Sequence, residues 1–152
     1  MLNELARRIR GKRTLILGIG NPLQGDDAIG PNLVDFLHGR VDATLINAGE
    51  VPENYFSSIK AAQPEVVLII VALELGAEAG CVAIMDADRL RAIENFTRNP
   101  GLAFLAVMIQ DDTGAEVILV GVQPEQTKFA AKLSSAVHQT FNTLEEMLVS
   151  VY

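Results

Sequence analysis

Short apolar runs alternate along this chain with segments whose apolar positions recur every three or four residues. Arg13–Ile19 is apolar almost throughout, the pattern of a central parallel strand covered on both faces. Asp27–His38 predicts a helix with Ile29, Leu33, Phe36 and Leu37 on one face, and Gly39 offers a left-handed stop. Ala43–Asn47 predicts a second strand. Glu53–Ala61 predicts a helix, with Pro52 near its first turn and Gln63-Pro64 at its end. Glu65–Ala72 is the most apolar strand, and Gly80–Met85 reads as a less regular one. Asp86–Phe96 predicts a helix opened by Asp86 or Asp88 and broken by Pro100-Gly101. Leu102, Leu105, Ala106 and Ile109 form a further helical stripe that ends near Gly114. Glu116–Val122 predicts the last strand, and Gln123–Leu133 looks extended. A C-terminal helix starts near Ser134, with Val137, Phe141, Leu144, Leu148 and Val151 on one side.

Strands that alternate with helices imply right-handed crossovers and a mostly parallel sheet. The expected class is α/β: a single three-layer α/β/α domain over residues 1–152, with a twisted sheet of about five strands flanked by helices. Sites in such folds lie at the carboxyl ends of strands. The candidate site is therefore built from residues just after Ile19, Asn47, Val71 and Val122.

Composition narrows the partners. Half the residues are apolar (49%) and only 20% are charged, so the chain can bury a core. A net charge of -7 disfavours nucleic acid and anionic lipid, which leaves a small molecule or a protein. The opening residues lack the apolar segment of a secretory signal, and the longest apolar run, Val66–Leu73, is too short to cross a bilayer. One cysteine, Cys81, permits no internal disulfide and fits a reducing cytoplasm; it reads as a small buried hydrophobe.

The densest chemistry lies in Gly18-Ile19-Gly20-Asn21-Pro22-Leu23-Gln24-Gly25-Asp26-Asp27-Ala28-Ile29-Gly30. Gly25 comes too late for a dinucleotide fingerprint, and no P-loop lysine follows, so nucleotide or phosphate binding ranks last. Asp26 or Asp27 can cap the following helix and complement its dipole. Two in a row is one more than a cap needs, and the other can serve in a cleft as a metal ligand or an acid/base group. His38 and His138 lie away from strand ends and read as surface or rim residues, so no nucleophile–histidine set assembles. Gln123-Pro124 either lines the cleft or makes a simple turn.

The same run resembles the signature of the hydrogenase maturation endopeptidases. Asn47-Ala48-Gly49-Glu50-Val51-Pro52-Glu53-Asn54 and Leu119-Val120-Gly121-Val122-Gln123-Pro124 resemble two later segments of the formate-hydrogenlyase and archaeal branch. The resemblance implies a twisted, mostly parallel sheet between helices. It implies a protease that clips a C-terminal extension from the precursor of a nickel-iron hydrogenase large subunit, with no intrinsic cofactor. Such proteins recognise the client's nickel through an acidic residue of the signature, an aspartate after the third strand and a histidine in a later loop. Those positions fall on Asp27, Val71 and Arg98. Asp27 thus becomes the expected catalytic and metal-facing residue, with Gly20, Asn21, Asp26, Gly49, Glu50, Arg98 and Gln123 expected around the cleft. Valine offers a metal nothing, and arginine repels it. Glu50 or Glu74 can supply a substitute carboxylate, though oxygen-only sites suit magnesium or calcium better than nickel. Alternatively, Arg98 stands in for the metal and pairs with Asp27. Two activities follow: a processing endopeptidase, or a relative that binds its client without cutting it.

Overall fold

The computed structural model describes residues 1–92 and 100–152. Five strands form one sheet: β1 (Thr14–Ile19), β2 (Thr44–Gly49), β3 (Val66–Ala72), β4 (Val82–Asp86) and β5 (Glu116–Val122). Their order is β2-β1-β3-β5-β4. β1 pairs in parallel with β2 and β3, and β3 pairs in parallel with β5. β4 alone is antiparallel, on the edge beside β5. Because β4 is an edge strand with only partly buried residues, its apolar signal is the weakest of the five.

Among the described residues the α-helices are α1 (Leu2–Ile9), α2 (Ile29–Leu37), α3 (Phe56–Ala61), α4 (Ala87–Ala92), α5 (Pro100–Thr113) and α6 (Ser135–Val151). The pleat of the sheet sorts its side chains into two cores. Leu15, Leu17, Val67, Ile69 and Leu119 pack with Ile59 of α3 and with Leu102, Leu105 and Ile109 of α5. Ile16, Leu68, Ile70, Ile118 and Val120 pack with Leu5 and Ile9 of α1, Ile29, Leu33 and Leu37 of α2, and Val137, Leu144 and Leu148 of α6. Each fully buried side chain of this kind stabilises the fold by roughly 1.5–3 kcal/mol relative to exposure. The three-layer α/β/α architecture is the one the alternation of patterns predicts.

Three local expectations need correction. α1 is absent from the sequence reading, although Leu2, Leu5, Ala6 and Ile9 have helical spacing; Leu5, Ala6 and Ile9 are buried. Phe36 is exposed rather than part of the core face, and its ring meets Phe141 edge-on at 5.6 Å. Cys81 is exposed, not buried. The predicted helix over Asp86–Phe96 is seen as α4 through Ala92, and its remainder lies outside the described residues.

The sheet order sets the site. From β1 the chain moves one way to β2, and β3 then returns to the other side of β1. The strand order therefore reverses between β1 and β3, the point at which open α/β sheets leave a crevice beyond their carboxyl ends.

Candidate active cleft

A cleft of about 280 Å³ opens at that reversal. Ile19 and Gly20 leave β1 into it, and Val71 and Ala72 come from β3. Leu102 and Leu105 of α5 add apolar wall, while Asp27, Glu50 and Glu53 bring carboxylates. The cleft is thus apolar at its base and acidic around it.

Asp27 lies in a 3-10 turn, Gly25–Ala28, just before α2. Its Oδ2 accepts the backbone N–H of Asn21 at 2.7 Å. Gly20 makes this possible: its φ is +146°, and a Cβ there would stand 1.9 Å from the Asp27 carbonyl oxygen. Gly20 is held in turn by its N–H, which donates to the Gly49 carbonyl at 2.9 Å. Gly49 sits at a bulge in β2 with φ +56°. Burial raises the Asp27 pKa most, and the Glu50 charge raises it further, against the opposing Asn21 bond. A carboxyl group that holds its proton longer, beside a second carboxylate in a cleft, is suited to acid/base work or to meeting a cation.

Asp26 belongs elsewhere. It is completely buried and lines no part of the cleft. Its Oδ2 accepts the N–H groups of Glu125 at 2.9 Å and Gln126 at 3.2 Å and the Ser134 hydroxyl at 2.8 Å. Its Oδ1 accepts the Ser134 N–H at 2.7 Å. Neither Asp26 nor Asp27 caps α2, which has no side-chain cap. The alternation of roles is therefore within the pair, but Asp26 holds the start of α6 rather than that of α2.

Gln123 is also corrected. It is buried, with Oε1 accepting the Leu75 N–H at 2.7 Å and Nε2 donating to Glu74 Oε2 at 3.0 Å. It fastens the loop between β3 and β4 instead of lining the cleft. Glu74, bonded to Gln123 and to the Gly76 N–H, does not line the cleft either, whereas Glu50 does. Asn21 serves through its backbone, while its side chain accepts the Leu23 N–H at 2.9 Å. His38 and His138 are exposed, away from the cleft. Pro52, Glu53, Leu102 and Leu105 are cleft residues that the sequence reading did not single out. The α5 stripe was legible, but not the surface that it faces.

Glycine also sets the packing of α2 on β1. A Cβ on Gly18 would meet the Gly30 carbonyl oxygen at 2.3 Å, so Gly18 admits α2 against β1 as Gly20 admits Asp27.

The hydrogenase maturation protease model matches residues 32–151. This chain belongs to that family. The match begins beyond the Gly18–Gly30 run, so motif and match rest on different residues and agree. The Hydrogenase 3 maturation protease of Escherichia coli K12 is 28% identical over 137 residues, covering 88% of this chain and 87% of that protein. A putative hydrogenase maturation protease of Methanocaldococcus jannaschii is 30% identical over 153 residues, covering 90% and 89%. The crystal structure of the NiFe hydrogenase maturation protease HycI from Thermococcus kodakarensis KOD1 superposes with a TM-score of 0.88, at 31% identity and 97% coverage of both chains.

Within this maturation-protease fold, Val71 pairs with Ile19 on one side and Gly121 on the other, at the base of the cleft. It is 5% exposed and packs with the core. Arg98, and with it the expected Asp27–Arg98 pair, lies outside the described residues. Among the described residues, no three of histidine, cysteine, aspartate and glutamate gather to hold a metal ion. Among the described residues, the side-chain donors in the cleft are carboxylates, a hard set ill suited to nickel. No described helix is long and apolar enough to cross a membrane.

Proposed function

We propose that this chain is a maturation endopeptidase acting on the C-terminus of a nickel-iron hydrogenase large-subunit precursor, or of a closely related protein. One observation carries the reading: the half-buried Asp27 carboxylate, fixed by Asn21, lining a cleft where the strand order reverses. A C-terminal peptide can enter such a cleft along the apolar wall of Leu102 and Leu105. Nickel enters as part of the client. Asp27 is the residue that meets it; burial chiefly raises its proton affinity, and the neighbouring Glu50 carboxylate adds to that. We propose a cytoplasmic place of action, in line with the single cysteine.

A second reading is favoured by Val71. An aliphatic side chain stands where the resemblance implies an aspartate, which fits a relative that docks the client without cutting it. The two separate in one experiment. Nickel-loaded and nickel-free precursors are incubated with the purified chain, and the products are weighed by mass spectrometry. A shortened subunit from the loaded precursor alone supports the endopeptidase. Stable co-elution with an uncut loaded precursor overturns it in favour of the second reading.

A further inference from the structure

Asp26 and Ser134 form a contact that the cleft chemistry does not explain. Ser134 is the N-cap residue of α6, yet its hydroxyl makes no bond within its own helix. A serine at this position ordinarily caps. Here both its hydroxyl and its N–H go to Asp26, 108 residues away in sequence. Further contacts join the same two segments. Asp26 N–H donates to the Gln126 carbonyl at 2.9 Å, and Ala130 N–H donates to the Leu23 carbonyl at 2.7 Å. Gly25 lies so close to Gln126 that a Cβ would stand 2.3 Å from its Oε1. The turn that carries Asp27 is therefore clamped along the segment between β5 and α6, and Asp26 is the buried centre of the clamp.

We propose that Asp26 and Ser134 are positioning residues for the cleft, holding the Asn21–Asp27 turn so that the Asp27 carboxylate stays on the Asn21 N–H and faces the client. This rests on the reading of Asp27 as the acting group. Adjacent carboxylates thus divide the work: one is spent inside the protein so that the other is presented outside it. The alternative is a clamp that only adds stability. The difference is that positioning is local to the turn.

The test reads the Asn21 amide directly by hydrogen exchange. Ser134→Ala removes one of the four bonds to Asp26 and no bond within α6. Loss of one such bond should speed exchange at Asn21 about tenfold. Leu17 and Ile69, in the central strands, should stay within about twofold of the parent, because local opening does not reach the core. Ser134→Thr keeps the hydroxyl and should restore Asn21. Asp26→Asn is harsher, since its amide would confront N–H donors, and Ser134→Ala keeps the test open should that variant not fold. Unchanged exchange at Asn21, or faster exchange at all three amides together, overturns the proposal. With nickel-loaded precursor, Ser134→Ala should lower kcat with KM nearly unchanged. Absence of cleavage by the parent chain would count against the endopeptidase reading alone, because the exchange result does not depend on it.

Discussion

A methyl group on Gly18 would stand 2.3 Å from the carbonyl oxygen of Gly30, so β1 and α2 meet backbone to backbone. Gly30 is equally tight, its own Cβ position lying 2.3 Å from the Ile70 carbonyl oxygen. Neither neighbour is a flexible side chain that can swing away. Gly18→Ala and Gly30→Ala should each cost at least about 2 kcal/mol, in the range of overpacked cores. Gly101→Ala, in α5 with nothing among the described residues close to its Cβ position, should be neutral or mildly stabilising. Urea denaturation midpoints check all three.

The raised pKa of Asp27 gives stability a particular pH dependence. Burial is the main cause and the Glu50 charge adds to it, so the folded state holds the proton more tightly than the unfolded chain does. The contribution favours folding in acid and is lost as pH rises through the folded-state pKa. Asp27→Asn removes that loss while keeping an oxygen for the Asn21 N–H. Its Tm should exceed the parent's at pH 7, with the gain shrinking as pH falls through the folded-state pKa and gone below about pH 4. Glu50→Gln should act in the same direction but less. An Asp27→Asn variant that is less stable than the parent at pH 7 would contradict this account.

Gln123 yields a prediction opposite to its sequence-based role. Gln123→Ala leaves the Leu75 N–H without its acceptor and frees the loop between β3 and β4. The expected cost is about 1–3 kcal/mol, the penalty of a stranded donor. Client processing or binding should be unaffected, since Gln123 touches no part of the cleft. A selective loss of activity at unchanged stability would restore Gln123 to the site.

What the sequence makes legible follows from range. The central strands announce themselves because Leu15, Ile16, Leu17 and Leu68, Ile69, Ile70 are buried on both faces, which leaves an unbroken apolar run. Asp27 is legible because its setting is local: Gly20, Asn21 and the turn lie within seven residues of it. Asp26 and Gln123 are not, because their partners lie far away in sequence, Ser134 for one and Leu75 for the other. A polar residue after a strand looks the same in sequence whether it faces a cleft or fastens a loop. Only the partner distinguishes the two, and the partner is set by tertiary packing.

Val71 and Arg98 carry the last prediction. The resemblance puts an aspartate and a histidine at these positions, and the cleft base at Val71 is close to the strand end from which Asp27's turn departs. Val71→Asp alone buries a carboxylate at a site only 5% exposed, and should cost at least about 2 kcal/mol at pH 7, less in acid where the group is neutral. Combined with Arg98→His, it completes with Asp27 the set that the resemblance implies, an imidazole and two carboxylates, which nickel accepts far better than carboxylates alone. The double variant should bind nickel(II) in calorimetry where the parent does not, and nickel should raise the Tm of the double variant. Its stability without metal should stay below the parent's, because the buried charge then lacks a partner. Equal nickel affinity in parent and double variant would mean that positions 71 and 98 are not the vacated ligand positions, and that the parent recognises nickel through other groups.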